Sequence, residues 1–263
     1  MSGLDLTGRV ALVTGGARGL GQGMAEALTA AGARVMIADV LTEEGERTAG
    51  SLKGGGFVQL DVTDDAQWGA AVEATVAELG GLDVLVNNAG IEITSLLVDA
   101  DPVEHLKMFE VNLLGTTLGI KHAFRTMRPG GPAGNGGAVI NVASVAATIA
   151  FPAIAGYSAT KSGVDRLTRV AAMESGKLGY GVRVNCIYPG LVATEMGVKL
   201  AVETAGLGLF GSPEAAVGAV VELTPSGRLG EVSDMADAVV FLASDQSRFV
   251  NGAGLPVDGG MGM

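Results

Sequence analysis

The chain has 263 residues, 42 of them glycine, and its 28 acidic residues against 17 basic ones leave a formal net charge of −11. That charge repels nucleic acid and anionic membranes at long range, which argues against either as a partner. A lone cysteine, Cys186, permits no disulfide framework, and the two histidines have no metal-ligand spacing, so no metal is expected. "MSGLDLTGRV" has neither a basic leader nor an apolar signal core, and the C-terminal "DGGMGM" carries no lipidation motif. The apolar run "VASVAATIAFPAIAGY" is interrupted by Ser144, Thr148 and Pro152 and falls short of the roughly 20 residues that a membrane span needs, so a cytoplasmic protein is expected.

Along the chain, short β-rich apolar runs alternate with longer amphipathic ones. "RVALVT" (9–14), "GQGMAEALTAAG", "ARVMIAD" (33–39) and a helix from about Glu43 make a βαβ unit, which predicts parallel strands. The alternation continues with "FVQLDV" (57–62), the helical "DDAQWGAAVEATVAELG", "LDVLVNNAG" (82–90), a long helix over 102–127 and "GAVINVAS" (137–144). A helix over 156–178, the strand "GVRVNCIYPG", a helix over 233–243 and a short strand over 254–257 complete the series. "RPGGPAGNGG" (128–137) is too rich in Gly and Pro for regular structure and predicts a flexible surface loop. Residues 191–230 are helical in composition but broken by glycines and prolines, which predicts a mobile flap; packing of its apolar residues on a neighbouring subunit is the alternative. The fold class expected is α/β: a single doubly wound domain over 1–263, with about seven parallel strands and helices on both faces.

The chemistry-bearing residues fall at predicted strand ends. "TGGARGLGQG" puts Gly15, Arg18, Gly19, Leu20 and Gly21 at the turn from the first strand into a helix, where glycines admit a pyrophosphate and the helix start offers free N–H groups. Asp39 ends the second strand 18 residues beyond Gly21. Its carboxylate can accept from ribose hydroxyls and repel a 2′-phosphate, favouring NAD over NADP, or it can merely cap the next helix. Arg18, a cation in the same loop, could bind a phosphate and weighs against that preference. Asp61 and Val62 end the third strand, and Asn88, Ala89 and Gly90 of "NNAG" end the fourth; taken alone, "NNAG" also fits turn chemistry.

In "GYSATKSGV", Tyr157 and Lys161 stand four residues apart, hence on one face of a helix. A phenol titrates near 10, and bringing it near 7 takes about 4 kcal/mol, a task for the lysine together with a positively charged nicotinamide. Ser144 ends the fifth strand on the same edge as the nucleotide crevice, and its hydroxyl can orient a reacting oxygen. Asn112, inside the long helix, needs a partner for its amide and can support Lys161. Ile149, Phe151 and Ile154 either wall a substrate pocket or pack as core.

TGxxxGxG, NNAG, the helix Asn, the strand-end Ser, YxxxK and "PG…T" (Pro189, Gly190, Thr194) together resemble the single-domain short-chain dehydrogenase/reductase family, over essentially the whole chain. The resemblance implies that Ser144, Tyr157 and Lys161 form a catalytic triad, with Asn112 as its fourth member. It implies cofactor contacts from Gly15, Arg18, Gly19, Leu20, Gly21, Asp39, Asp61, Val62, Asn88, Ala89, Gly90, Pro189, Gly190, Val192 and Thr194, with Tyr157 and Lys161 reaching the nicotinamide ribose. It also implies a homotetramer pairing the helices near 102–127 and 156–178, and points to bacterial hydroxysteroid and cyclic-alcohol dehydrogenases. Segments 145–155 and 191–210 are mostly aliphatic without arginine, so a bulky apolar alcohol or ketone is the expected small-molecule substrate. A 3-oxoacyl-carrier-protein reductase, docking its acidic carrier on Arg125, Arg128, Arg166 and Arg169, and a catalytically silent nucleotide-binding scaffold are the alternatives.

Overall fold

In the computed structural model, which describes residues 4–263, the strands are Val10–Thr14 (β1), Arg34–Asp39 (β2), Gly56–Gln59 (β3), Val84–Asn87 (β4), Gly137–Val142 (β5), Val182–Pro189 (β6) and Gly254–Val257 (β7). They form one seven-stranded sheet in the order β3-β2-β1-β4-β5-β6-β7, and every neighbouring pair is parallel. The chain steps outward from β1 to β3, then crosses back to β4 on the other side of β1. This reversal leaves a crevice outside the carboxyl ends of β1 and β4, where ligands of such sheets bind.

The helices are Gly19–Ala30 (α1), Thr42–Ser51 (α2), Asp65–Leu79 (α3), Pro102–Met108 (α4), Gly115–Met127 (α5), Ala155–Leu178 (α6), Glu195–Gly206 (α7), Pro213–Leu223 (α8) and Val232–Ala243 (α9). Because strand side chains alternate between faces, Ala11 and Val13 of β1 pack with Met24, Leu28, Met235 and Val239 of α1 and α9. Val10 and Leu12 pack on the opposite side with Trp68, Val72, Phe124 and Met127 of α3 and α5. Each fully buried side chain of this size contributes about 1.5–3 kcal/mol.

Four segments differ in detail from the sequence expectation. β3 stops at Gln59, because Asp61 turns the chain: its Oδ1 accepts from the Thr63 amide at 2.9 Å and the Thr63 hydroxyl at 2.8 Å. The long helix of 102–127 contains a π-helical stretch, Phe109–Leu114, between α4 and α5. The stretch 128–136 is irregular as expected, but it is tied down, with Ala133 N donating to Thr126 O at 3.0 Å and Gly136 N to Met127 O at 2.9 Å. Residues 191–230 fold as α7 and α8, capped by Thr194 and Ser212, and the base of the excursion is pinched by a Val192–Gly230 bridge.

Candidate active site

The turn from β1 into α1 is built without side chains where they would obstruct it. A Cβ on Gly21 would overlap the Gly15 carbonyl, and one on Gly15 would meet Ala89 Cα at 2.8 Å. Gly15 and Gly19 adopt φ of 60° and 58°, which L side chains avoid. No side chain caps α1 and its first turn holds no acid, so its free amides and the positive end of its dipole face the crevice. Leu20 anchors that turn on the core. These features fit a dinucleotide pyrophosphate.

Asp39, at the end of β2, is buried and serves the protein first. Its Oδ2 accepts from Ala17 N at 3.0 Å and its Oδ1 from Leu41 N at 3.1 Å, so it braces the glycine turn and the start of α2 together. Each oxygen retains a second lone pair for a ribose hydroxyl. Arg18 turns away from this carboxylate and pairs with Glu195 at 2.8 Å.

Asn88 spends its side-chain amide on the turn, donating to Thr14 O at 3.0 Å and Gly15 O at 2.9 Å, while the Asn88 and Ala89 amides both donate to the Thr14 hydroxyl at 3.1 Å. Two steps on, Asn112 Oδ1 accepts from Ile91 N at 2.8 Å, and its Nδ2 donates to Ile91 O at 2.9 Å and to the Thr160 hydroxyl at 3.0 Å. Asn112 therefore fastens the NNAG turn to α6 rather than bonding Lys161 directly. A Cβ on Gly90 would lie 3.3 Å from Asn112 Oδ1 and 3.5 Å from Lys161 Nζ, so all three meet at one point. The π-helical stretch around Asn112 is a feature that often marks functional sites.

Ser144, Tyr157 and Lys161 converge at the same edge. Lys161 is 4 % exposed, its Nζ donating to Val142 O at 2.7 Å and lying 5.6 Å from the centre of the Tyr157 ring. Burial pushes the Lys161 ammonium down to about 8. Burial likewise pushes the Tyr157 phenol up to about 12; the Ser144 hydroxyl opposes the rise and the Glu92 charge adds to it. The sequence expectation assigned the lowering of this phenol to the lysine together with a nicotinamide cation, and the protein alone, without that cation, holds it high. α6 is entered through Ala153 at φ 68°, the only non-glycine at positive φ among the described residues. Strain of this kind, about 1–3 kcal/mol, clusters at functional sites.

The other expected contacts lie along the crevice with varied freedom. Asp61 is exposed, and the buried Val62 gives its carbonyl to Trp68 Nε1 at 2.9 Å. Pro189 ends β6 and Gly190 follows it, where a Cβ on Gly190 would press on Asp258 Cα at 3.0 Å. Val192 is buried at the base of the 191–230 excursion, and Thr194 caps α7 through Gly197 N at 3.4 Å. Ile154 is packed as core, while Ile149 and Phe151 are half-buried. Sequence reading missed Thr14 and Thr160, whose hydroxyls hold the NNAG turn and Asn112. It also missed Glu92, whose one signal was an acid directly after "NNAGI", and Lys199, a charged residue inside the 191–210 segment read as mostly aliphatic.

A doubly wound sheet with an uncapped glycine turn at its switch point and a Ser–Tyr–Lys cluster on the same edge is the build of a nicotinamide-dependent oxidoreductase. The family model described as Enoyl-(Acyl carrier protein) reductase matches residues 15–262. A trans-4-hydroxycyclohexanecarboxylate dehydrogenase of Sinomonas cyclohexanicum is 42% identical over 262 residues, covering 96% of this chain and 92% of that one. A 3-alpha-(or 20-beta)-hydroxysteroid dehydrogenase of Mycobacterium bovis is 41% identical over 256 residues, covering 97% and 90%. A crystal structure of a Sinorhizobium meliloti 1021 protein, assigned as a short-chain alcohol dehydrogenase, superposes with a TM-score of 0.87 at 34% identity over 98% of both chains. The chain belongs to the short-chain dehydrogenase/reductase family and is an oxidoreductase of that family.

Proposed function

We propose that the protein is an NAD-dependent dehydrogenase that interconverts a secondary alcohol and a ketone on a bulky, mostly apolar ring substrate, cyclic or steroid-like. The observation that carries this reading is the convergence of Ser144, Tyr157 and Lys161 beside the switch-point crevice, 5.6 Å separating the Lys161 ammonium from the Tyr157 ring. The two named relatives, which act on a hydroxylated ring acid and on hydroxysteroids, support the substrate class.

In the oxidative direction Tyr157 takes the hydroxyl proton of the substrate, the carbinol hydrogen departs as hydride, and Ser144 holds the oxygen that becomes the ketone. The reverse direction uses the same groups with Tyr157 as acid. A bound oxidised nicotinamide supplies the hydride acceptor and a positive charge beside the phenol. That charge would oppose the rise that burial and Glu92 impose on the phenol. Lys161 donates to the nicotinamide ribose and favours the phenolate, while Asn112 holds the wall between them through Ile91 and Thr160. Gly15, Gly19, Leu20 and Gly21 receive the pyrophosphate; Asp61, Val62, Asn88, Ala89 and Gly90 line the adenosine side; Pro189, Gly190, Val192 and Thr194 line the nicotinamide side.

Asp39 sets the preference for NAD. A 2′-phosphate at about 4 Å from its carboxylate would meet repulsion of about 4 kcal/mol per unit charge at an effective dielectric near 20. The carrier-protein alternative is weakened by Arg169, which pairs with Asp165 at 2.9 Å and bonds the Tyr188 hydroxyl, and by Arg128, which lies 5.9 Å from the centre of the Tyr180 ring. We further read the protein as one domain and as cytoplasmic: Cys186 is free and buried, and among the described residues no helix is long and apolar enough to cross a membrane.

The test is turnover of a panel of cyclic and steroidal alcohols and ketones with NAD and NADP in parallel. Tyr157→Phe is expected to lower kcat by about a thousandfold or more while the dinucleotide Kd stays within about threefold. Asp39→Ser is expected to narrow the preference for NAD over NADP by at least about tenfold. Residual turnover of Tyr157→Phe above a few per cent, or tighter binding of NADP than NAD by the unaltered protein, would overturn the respective assignment.

A further inference from the structure

Glu92 lies two residues beyond Gly90, and its side chain is 2 % exposed. Its Oε1 accepts from the Thr94 hydroxyl at 2.8 Å, but its Oε2 has no hydrogen-bond partner. Lys199 of α7 stands 3.8 Å from that oxygen and directs its hydrogen bond elsewhere, to the main-chain oxygen of Glu92 at 2.8 Å; Glu203 Oε1 lies 3.5 Å from the same ammonium. The segment carrying Glu92 is immobilised on both sides. Asn112 grips Ile91 through its amide and carbonyl, and Ser95 pairs with Ile154, its amide donating to Ala153 O at 2.8 Å. Ile154 stands three residues before Tyr157. The Glu92 carboxyl is thus held between the NNAG turn, the start of α6 and α7, near enough for its charge to act on the Tyr157 phenol.

The Lys199 ammonium at 3.8 Å gives this oxygen an ion-pair contact across to α7, but a buried carboxylate oxygen with no hydrogen-bond donor stays costly, so packing or anchoring alone accounts for it poorly. Such an oxygen beside a reacting centre is suited to a donor that arrives with the substrate. We propose that Glu92 is a specificity-determining residue whose Oε2 accepts a hydrogen bond from a second hydroxyl of the substrate, remote from the reacting carbinol. The preferred substrates are then ring alcohols or ketones that carry an additional hydroxyl, and a carboxylate at that place is disfavoured by like charge. Lys199 keeps the acceptor oriented by holding the main chain of the same residue.

This inference rests on the dehydrogenase reading, and its test separates the two. The quantity measured is the ratio of kcat/KM for the best of the isomeric cyclohexanediols to that for cyclohexanol, in the unaltered protein, Glu92→Gln and Glu92→Ala. The unaltered protein is expected to favour the diol by about tenfold or more, and Glu92→Ala to bring the ratio within about threefold of one. Glu92→Gln, which keeps an acceptor oxygen and nearly the same shape, is expected to retain part of the preference. Losing the Glu92 charge also eases ionisation of Tyr157, but that acts on both alcohols alike and cancels in the ratio. A ratio near one in the unaltered protein, a ratio untouched by Glu92→Ala, or a stronger preference for the ring bearing a carboxylate in place of the second hydroxyl overturns the proposal. Calorimetric titration of diol and cyclohexanol into NADH-saturated protein reads the same discrimination without turnover. If no alcohol is oxidised, the dehydrogenase reading fails, while diol binding that Glu92→Ala weakens by about tenfold still supports the role of Glu92. Equal diol binding by the two proteins overturns it.

Discussion

Lys161 is a buried cation, and that couples the candidate site to the stability of the whole chain. Its ammonium is pushed down to about 8 from the ordinary lysine value of 10.5. Between those values the unfolded chain binds more protons than the folded one, so stability rises with pH across that window and is lost as pH falls through about 8. Tyr157, raised from 10.0 to about 12, acts in the opposite sense but only above pH 10, where the unfolded phenol begins to ionise. Between about pH 7.5 and 9.8 the lysine contribution amounts to about 2 kcal/mol. Denaturant unfolding at these two values is expected to show the unaltered protein gaining that much relative to Lys161→Met, which has no charge to lose. Parallel pH dependence in the two proteins would mean that the lysine is not buried in its charged form.

At the scale of elements, α7 is held to the body of the protein by few side-chain ties. Its amino end is tied to the glycine turn by the Arg18–Glu195 pair, whose side chains are 63% and 77% exposed, and an exposed pair of this kind is worth about 0–1 kcal/mol. Its middle is held by Lys199 on the Glu92 carbonyl, and its outer residues Met196, Val198 and Val202 are exposed. A helix fastened this lightly opens at small cost, and closing it over bound ligands would exclude water from the hydride path. Hydrogen exchange is expected to slow across residues 195–206 by at least about tenfold on adding NAD and an unreactive ketone analogue, and to quicken in the free protein for Glu195→Ala. Full protection before any ligand is added would instead make α7 a fixed wall. The α4–α5 pair behaves differently, because Asn112 bonds Ile91 twice and Thr160 once, locking its π-helical stretch to α6.

For the whole molecule, the distribution of exposed apolar side chains bears on assembly. Val103, Leu106 and Phe109 of the 102–127 region and Val170 and Met173 of α6 are exposed, on the two stretches expected to pair between subunits. Val98 and Leu97, 87% and 73% exposed, extend the apolar surface beside them. Surfaces of this composition are typical of faces covered by another protein. Light scattering at micromolar concentration is expected to give the mass of four chains, and Val170→Asp combined with Met173→Lys to give a smaller species. A monomeric mass for the unaltered protein would refute the assembly. The net charge of −11 on each chain sets the long-range field of such a particle.

The elements and much of the candidate site were legible in the sequence because their signals are local. Alternating β-rich and amphipathic runs define the parallel sheet, glycines at fixed offsets define the turn after β1, and a spacing of four puts Tyr157 and Lys161 on one face of α6. Strand ends also brought Asp39, Asn88 and Ser144 to one edge, since parallel strands share their carboxyl side. The π-helical stretch at Asn112 was not legible, because it forms against partners at Ile91 and Thr160, 21 and 48 residues away. Nor was the high proton affinity of Tyr157 or the placement of Glu92 under Lys199, 107 residues along the chain. A backbone conformation is set by a few neighbouring residues, whereas the burial, charge and free lone pairs at a site are sums over every segment that packs there, and only the tertiary structure decides which segments those are.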